Sequence, residues 1–95
     1  MRIEFDVAKS EKNKRERALP FHLVADLDWS NAIATIDTRR EYDEKRVVAL
    51  AMLGDRLHVI CFVEIDSGIR VISFRKANKR EIRRYEQEIA NRQSG

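Results

Sequence analysis

The sequence predicts a small α+β domain in which a four-stranded antiparallel sheet follows two N-terminal helices and precedes a C-terminal helix. Three observations predict it. Val- and Ile-rich runs at 45–53, 57–65 and 69–76 are separated by Gly54-Asp55-Arg56 and Asp66-Ser67-Gly68, and such short glycine-containing loops join antiparallel strands. At Asn78 the apolar period changes from two to that of a helix. The length of 95 residues suits one domain, 1–95, and is too short for two.

Residues 2–5 form a short extra strand candidate, and Asp6 is placed to cap a charged helix that runs to about Arg17. Pro20 separates it from a second short helix at 21–28, with Phe21, Val24 and Ala25 on one face and Leu23 and Leu27 on another. Residues 32–37 read as the first strand of the sheet and 38–42 as a polar turn. Three-residue turns at 54–56 and 66–68 would set Met52 opposite His58, Arg46 opposite Glu64 and Glu64 opposite Arg70, with Gly68 in the left-handed bulge position. That register gives one core face of Val47, Ala49, Ala51, Leu57, Val59, Cys61, Val63, Ile69 and Val71. A two-residue first turn would swap strand 45–53 between faces. Asn78-Lys79-Arg80-Glu81 is a capping-box pattern opening a helix to about Asn91, with Ile82, Tyr85 and Ile89 as its apolar ridge.

Composition narrows the function classes. The single cysteine, Cys61, excludes an internal disulfide and lies in an apolar run as an inert thiol. The charged N-terminus lacks the apolar segment of a signal peptide, and no uninterrupted apolar stretch reaches membrane-spanning length. A cytoplasmic protein without membrane association is expected. His22 and His58 lie in no compact ligand pattern, and Gly54, Gly68 and Gly95 form no phosphate-binding loop. No metal and no cofactor are expected.

The net charge of +3 is unevenly distributed. Residues 69–95 carry eight basic and three acidic side chains, whereas residues 29–68 carry five and seven. The basic end suits a polyanion or an acidic partner protein. Lys76, Lys79, Arg80, Arg83 and Arg84 are candidate phosphate contacts, although a solvated helix face would look the same. Arg75 is more informative, because it sits on a strand without an acidic cross-strand neighbour and needs an anion or carbonyl partner. Arginines on rigid strands suit a metal-independent ribonuclease, in which RNA supplies its 2′-hydroxyl as nucleophile and guanidinium groups stabilise the phosphate. Glu44, His58 and Tyr85 are the available proton-transfer groups, and composition does not choose among them.

The order of pieces resembles the BrnT toxin family of bacterial toxin–antitoxin systems, small proteins with a RelE-like fold. The resemblance rests on Glu4-Phe5-Asp6 with Lys9 and Asn13, then Phe21, Asp37-Thr38-Arg39 and Tyr42-Asp43-Glu44-Lys45-Arg46. Its most specific block is Arg70-Val71-Ile72-Ser73-Phe74-Arg75-Lys76-Ala77, followed by Glu81 and Tyr85. The family's Asn-x-x-Lys-His-Gly segment reads Asn13-Lys14-Arg15-Glu16-Arg17-Ala18 here. The resemblance implies an endoribonuclease held inactive by a ribbon-helix-helix antitoxin, with the complex binding operator DNA. It also implies Arg46, Arg70 and Arg75 as catalytic or RNA-engaging residues, supported by Glu44 and Tyr85. The alternative is a catalytically inactive basic module that only holds the antitoxin and contributes to operator binding.

Overall fold

The computed structural model describes residues 1–39, 41 and 44–94. Along them run β1 (Arg2–Glu4), α1 (Val7–Arg17), two 3₁₀ segments (Phe21–Asp26 and Trp29–Asn31), β2 (Ile33–Ile36), β3 (Arg46–Leu53), β4 (Arg56–Ile65), β5 (Gly68–Lys76) and α2 (Lys79–Ser94). The expected polar turn at 38–42 includes Arg40 and Tyr42, which lie outside the described residues, as does Asp43. The strands form one sheet in the order β1-β5-β4-β3-β2. Strands β2 to β5 pair antiparallel, as expected, but β1 joins the edge of β5 in parallel, so the sheet is mixed and five-stranded.

Both hairpin turns have two residues rather than the expected three. Leu53 faces Arg56 and Ile65 faces Gly68, leaving Gly54-Asp55 and Asp66-Ser67 as the turns. The left-handed residues are therefore Gly54 (φ 61°) and Ser67 (φ 62°), not Gly68. Gly68 answers a different need. A Cβ there would lie 1.9 Å from the Arg2 carbonyl oxygen, so only glycine lets β1 approach β5 this closely.

The shorter turns change the faces. Val47, Ala49 and Ala51 share a side with Ile60, Phe62, Ile69, Val71 and Phe74, while Leu57, Val59, Cys61 and Val63 turn to the other side with Val48 and Leu50. A bulge opposite Cys61 and Phe62 makes Ile72 the extra residue and keeps Ile60 opposite Phe74. Val63, rather than Glu64, stands between Arg46 and Arg70.

The first face carries the larger core, covered by Leu19, Phe21, Val24 and Leu27. The expected second helix is 3₁₀ in form, and Phe21, Val24 and Leu27 are buried while Ala25 is exposed. That spacing of three is the 3₁₀ period, which the sequence shows as readily as a helical one. Trp29 packs edge-on against Phe62 with centroids 5.6 Å apart, and its Nε1–H donates to the Val24 carbonyl at 3.0 Å.

Helix α1 has almost no apolar stripe, and its only buried residue is Ser10. Polar anchors hold it instead. Asp6 accepts from the Ala8 and Lys9 amides, and Ser10 Oγ accepts from the Phe21 amide at 2.8 Å. The Asn13 side-chain amide donates to the Leu19 and Phe74 carbonyls at 2.7 and 2.9 Å. The helix ends on Ala18 at φ 59°, a left-handed cap in which the Ala18 and Leu19 amides close on the Lys14 and Asn13 carbonyls. Alanine is strained there. Ala18→Gly is expected to raise stability by about 1 kcal/mol, read as a higher denaturant midpoint at unchanged slope. An unchanged or lower midpoint would contradict this reading of the cap.

The second face is half covered. Helix α2 docks through Ile82 and Tyr85 onto Leu50, Leu57, Val59 and Ala77, near the β3–β4 turn. Ile89, the expected third ridge residue, belongs to neither core cluster, and no α2 residue is fully buried. The other half of this face stays open, and the candidate site lies there.

Candidate active site

A cavity of about 370 Å³ opens on the uncovered half of the sheet. Val48, Val59, Cys61 and Ser73 line it from β3, β4 and β5, while Asp37, Thr38 and Arg39, just beyond β2, form one wall. Arg75, Glu81 and Arg84 form the opposite wall. The bulge matters here, because it sets Ser73 opposite Cys61 and Arg75 opposite Val59, on the open side of the sheet.

Arg75 has the acidic partner that cross-strand reading could not find. Its Nη1 and Nη2 donate to Glu81 Oε1 and Oε2 at 2.9 and 2.8 Å, and Nη1 also donates to the Lys76 carbonyl at 3.2 Å. A guanidinium has five N–H donors, and these bonds use three of them, all from the two terminal nitrogens. Among the described residues, none bonds the side edge formed by Nε–H and the remaining Nη2–H, an edge that suits a second bidentate anion.

Glu81 does two jobs at once. Its Oε1 accepts from the Asn78 amide at 2.9 Å, and the Asn78 side chain accepts from the Glu81 amide at 2.8 Å, completing the expected capping box. The Arg75 hydrogen bond, followed in size by the opposing effect of burial, brings the Glu81 carboxyl down to about 2. The first turn of α2 is thus tied to the arginine of the cleft.

The opposite wall repeats the theme. Arg39 Nε and Nη2 donate to the two Asp37 oxygens, each at 2.9 Å, and the Arg39 amide donates to the same carboxylate at 3.1 Å. The Asp37 side chain is only 1% exposed, against 79% for Arg39. Neither residue figured among the expected site residues, nor did Ser73. The Asp37-Thr38-Arg39 spacing was legible as a local pair, but its distance from β5 in the chain hid its place beside Arg75.

Arg46 and Arg70 flank Val63 at the open end of the same face. Arg70 meets Glu44 loosely, at 3.4 Å, with both side chains substantially exposed. The anticipated Arg46–Glu64–Arg70 row therefore does not form. Of the expected residues, Arg75 and the α2 cation Arg84 line the cavity, whereas Arg46, Arg70 and Glu44 lie at the other end of this face and are not among its described lining residues. Lys76, Lys79, Arg80 and Arg83 are exposed and line no part of it.

Two proton-transfer candidates lie elsewhere. His58 is buried beside Phe74, with Nδ1 2.9 Å from the Arg56 carbonyl oxygen, and burial lowers its pKa and keeps it neutral at neutral pH. Tyr85 is half-buried where α2 docks on the sheet, its hydroxyl 3.4 Å from the Asn31 carbonyl, and burial raises its pKa. It does not line the cleft. Cys61 is buried and its thiol pKa is raised first by burial and then by Asp37, so it stays a protonated part of the floor. Among the described residues, no group of three or more His, Cys, Asp or Glu side chains is placed to hold a metal ion. Nor is any described helix long and apolar enough to cross a membrane.

Residues 5–81 match the family model described as ribonuclease toxin, BrnT, of type II toxin–antitoxin system. The match spans α1, all of β2 to β5 and the capping box that closes the cleft. No curated protein and no solved structure matches the chain.

Proposed function

Because the chain belongs to the BrnT family of ribonuclease toxins, we propose that it is a metal-independent endoribonuclease whose cleft between Arg39 and Arg75 holds the scissile phosphodiester of RNA. The observation that carries this reading is the open side edge of Arg75, fixed in direction by Glu81 on its other edge. A planar fork held on a strand meets a phosphate without first having to be ordered.

In this mechanism the ribose 2′-oxygen attacks the adjacent phosphorus, and the bond from phosphorus to the 5′-oxygen breaks. The products are a 2′,3′-cyclic phosphate and a 5′-hydroxyl. The proton of the 2′-hydroxyl passes to a base, and the departing 5′-oxygen takes up a proton. We give the role of base to Glu44, whose carboxylate is exposed beside Arg70 and is not engaged by a bidentate arginine as Asp37 and Glu81 are. Arg75 stabilises charge on the nonbridging oxygens, while Arg46 and Arg70, farther along the open face, engage the adjoining stretch of RNA. Lys76, Lys79, Arg80, Arg83 and Arg84 hold flanking phosphates and act on affinity. Tyr85 serves by docking α2, and so supports the site from beneath rather than at the reacting atoms.

Membership in a type II system brings the expectation of a cognate antitoxin. We assign that role to a cytoplasmic ribbon-helix-helix protein that covers the basic cleft and carries the complex onto operator DNA. The competing reading, an inactive module that only holds the antitoxin, is separated by one experiment. The isolated chain should cleave single-stranded RNA, but not DNA of the same sequence, in excess chelator. Failure of the isolated chain on every RNA tried, by a preparation that still binds the antitoxin in a separate assay, would favour the inactive module.

A further inference from the structure

Strand β1 pairs only with Gly68–Arg70 of β5, so the rest of that edge must be met by something else. Helix α1 meets it, through the Asn13 amide bonded to the Phe74 carbonyl at 2.9 Å. Between α1 and the bulged Ile72-Ser73 pair lies a second cavity, of about 230 Å³, lined by Lys9, Lys12 and Arg17 on the helix side. Ser73 lines both this groove and the catalytic cleft, so the two are continuous across its exposed hydroxyl. A third cavity, which shares Arg17 and Glu16 with the groove, continues to Arg15 and Lys76.

The charge of the groove is unbalanced. Lys9, Lys12 and Arg17 are exposed and form no ion pair with a described residue, and Glu16 is the one carboxylate among the described lining residues. From Lys9 to Arg17 the helix rises about 12 Å. The half-buried Ile72 adds apolar surface for a base or ribose.

We propose that this groove is an extended RNA subsite, in which the strand leaves the cleft over Ser73 and runs along α1 with its phosphates on Lys9, Lys12 and Arg17. This rests on the ribonuclease reading, and it assigns to α1 a substrate role beyond the α2 cations. An acidic peptide would satisfy the same charges, but continuity with the phosphate-binding cleft favours the nucleic acid strand. Glu16 opposes binding at the centre of the groove, which makes the charge effects bidirectional.

The test compares the parent, the Lys12→Gln/Arg17→Gln variant and Glu16→Gln. Each binds a trinucleotide and a dodecanucleotide of RNA, 2′-O-methylated to prevent cleavage, across a range of salt. The double variant should lose about tenfold of the dodecanucleotide's affinity advantage over the trinucleotide, and its salt slope for the dodecanucleotide should fall by about 0.7 per lost contact. Glu16→Gln should increase the same advantage. The proposal is overturned if the double variant keeps the parent's advantage and slope, or if it loses only antitoxin affinity, which would make the groove a peptide site. Cleavage of the unmethylated dodecanucleotide by the parent is scored separately. A parent that cleaves while the variants bind alike removes the groove alone, whereas a parent that neither binds nor cleaves removes the ribonuclease reading and the groove with it.

Discussion

Arg75→Ala is expected to slow single-turnover RNA cleavage at saturating substrate by about 10²–10³-fold, the usual loss for one preorganised charge-stabilising donor. Arg83→Ala should leave that rate close to the parent's and weaken binding moderately. The contrast follows from position. Arg75 lines the cleft and is held on two sides by Glu81 and the Lys76 carbonyl. Arg83 is exposed on α2 and lines no part of the cleft. Its loss should lower the salt slope of RNA binding by about 0.7, the value of one single-strand phosphate contact. Both variants need a native circular dichroism spectrum for the comparison to count. An Arg75→Ala enzyme that cuts as fast as the parent, or a slower Arg83→Ala enzyme, would move the active site elsewhere.

Glu81→Gln is expected to cost about 1.5–3 kcal/mol of stability at neutral pH, because it removes the charge from a bidentate pair whose carboxylate side chain is only 18% exposed. The amide keeps an oxygen to cap α2, so the helix should persist. The pH dependence has a definite sign. The Glu81 pKa falls from the usual 4.5 to about 2 in the folded protein, so its contribution is fully present above pH 4.5. It is lost as pH falls toward 2, where the folded carboxylate takes up its proton. The gap in unfolding midpoint between parent and variant should therefore narrow over that acid window. A gap independent of pH would mean that the pair does not stabilise through its charge. The variant should also cleave more slowly at saturating RNA, since Arg75 loses the partner that fixes its fork; Glu81→Asp should restore less than the parent rate, as its shorter side chain cannot reach both contacts.

Much of this was legible in the sequence because the signals were local. The Asp6 cap, the Asn78–Glu81 capping box and the antiparallel succession of β3, β4 and β5 depend on residues near one another in the chain. The register was harder, because glycine-containing turns of two and three residues look alike and one residue of slip exchanges the faces of a strand. The bulge at Ile72 was invisible for the same reason. The parallel pairing of β1 joins residues about sixty-six positions apart, Arg2 and Gly68, through backbone bonds that leave no side-chain pattern. Within the site, Arg46, Arg70, Arg75 and Glu44 could be singled out by charge on or beside strands. The Arg75–Glu81 pair could not be seen by cross-strand reasoning, since its carboxylate comes from the following helix. The placement of Asp37 and Arg39 depends on β2 lying beside β3, whereas the place of Tyr85 on the apolar ridge with Ile82 was legible from spacing and already opposed its use as a proton-transfer group.

The central claim is that the RNA's own 2′-hydroxyl is the nucleophile and that arginines on the open face stabilise the reacting phosphate. The most direct measurement is the chemistry of the cut ends when the purified chain acts on an oligoribonucleotide in excess chelator. The account predicts a 2′,3′-cyclic phosphate on one fragment and a 5′-hydroxyl on the other, with no cut where the scissile nucleotide lacks its 2′-hydroxyl. A 5′-phosphate with a 3′-hydroxyl, or continued cutting at the 2′-deoxy position, would contradict it.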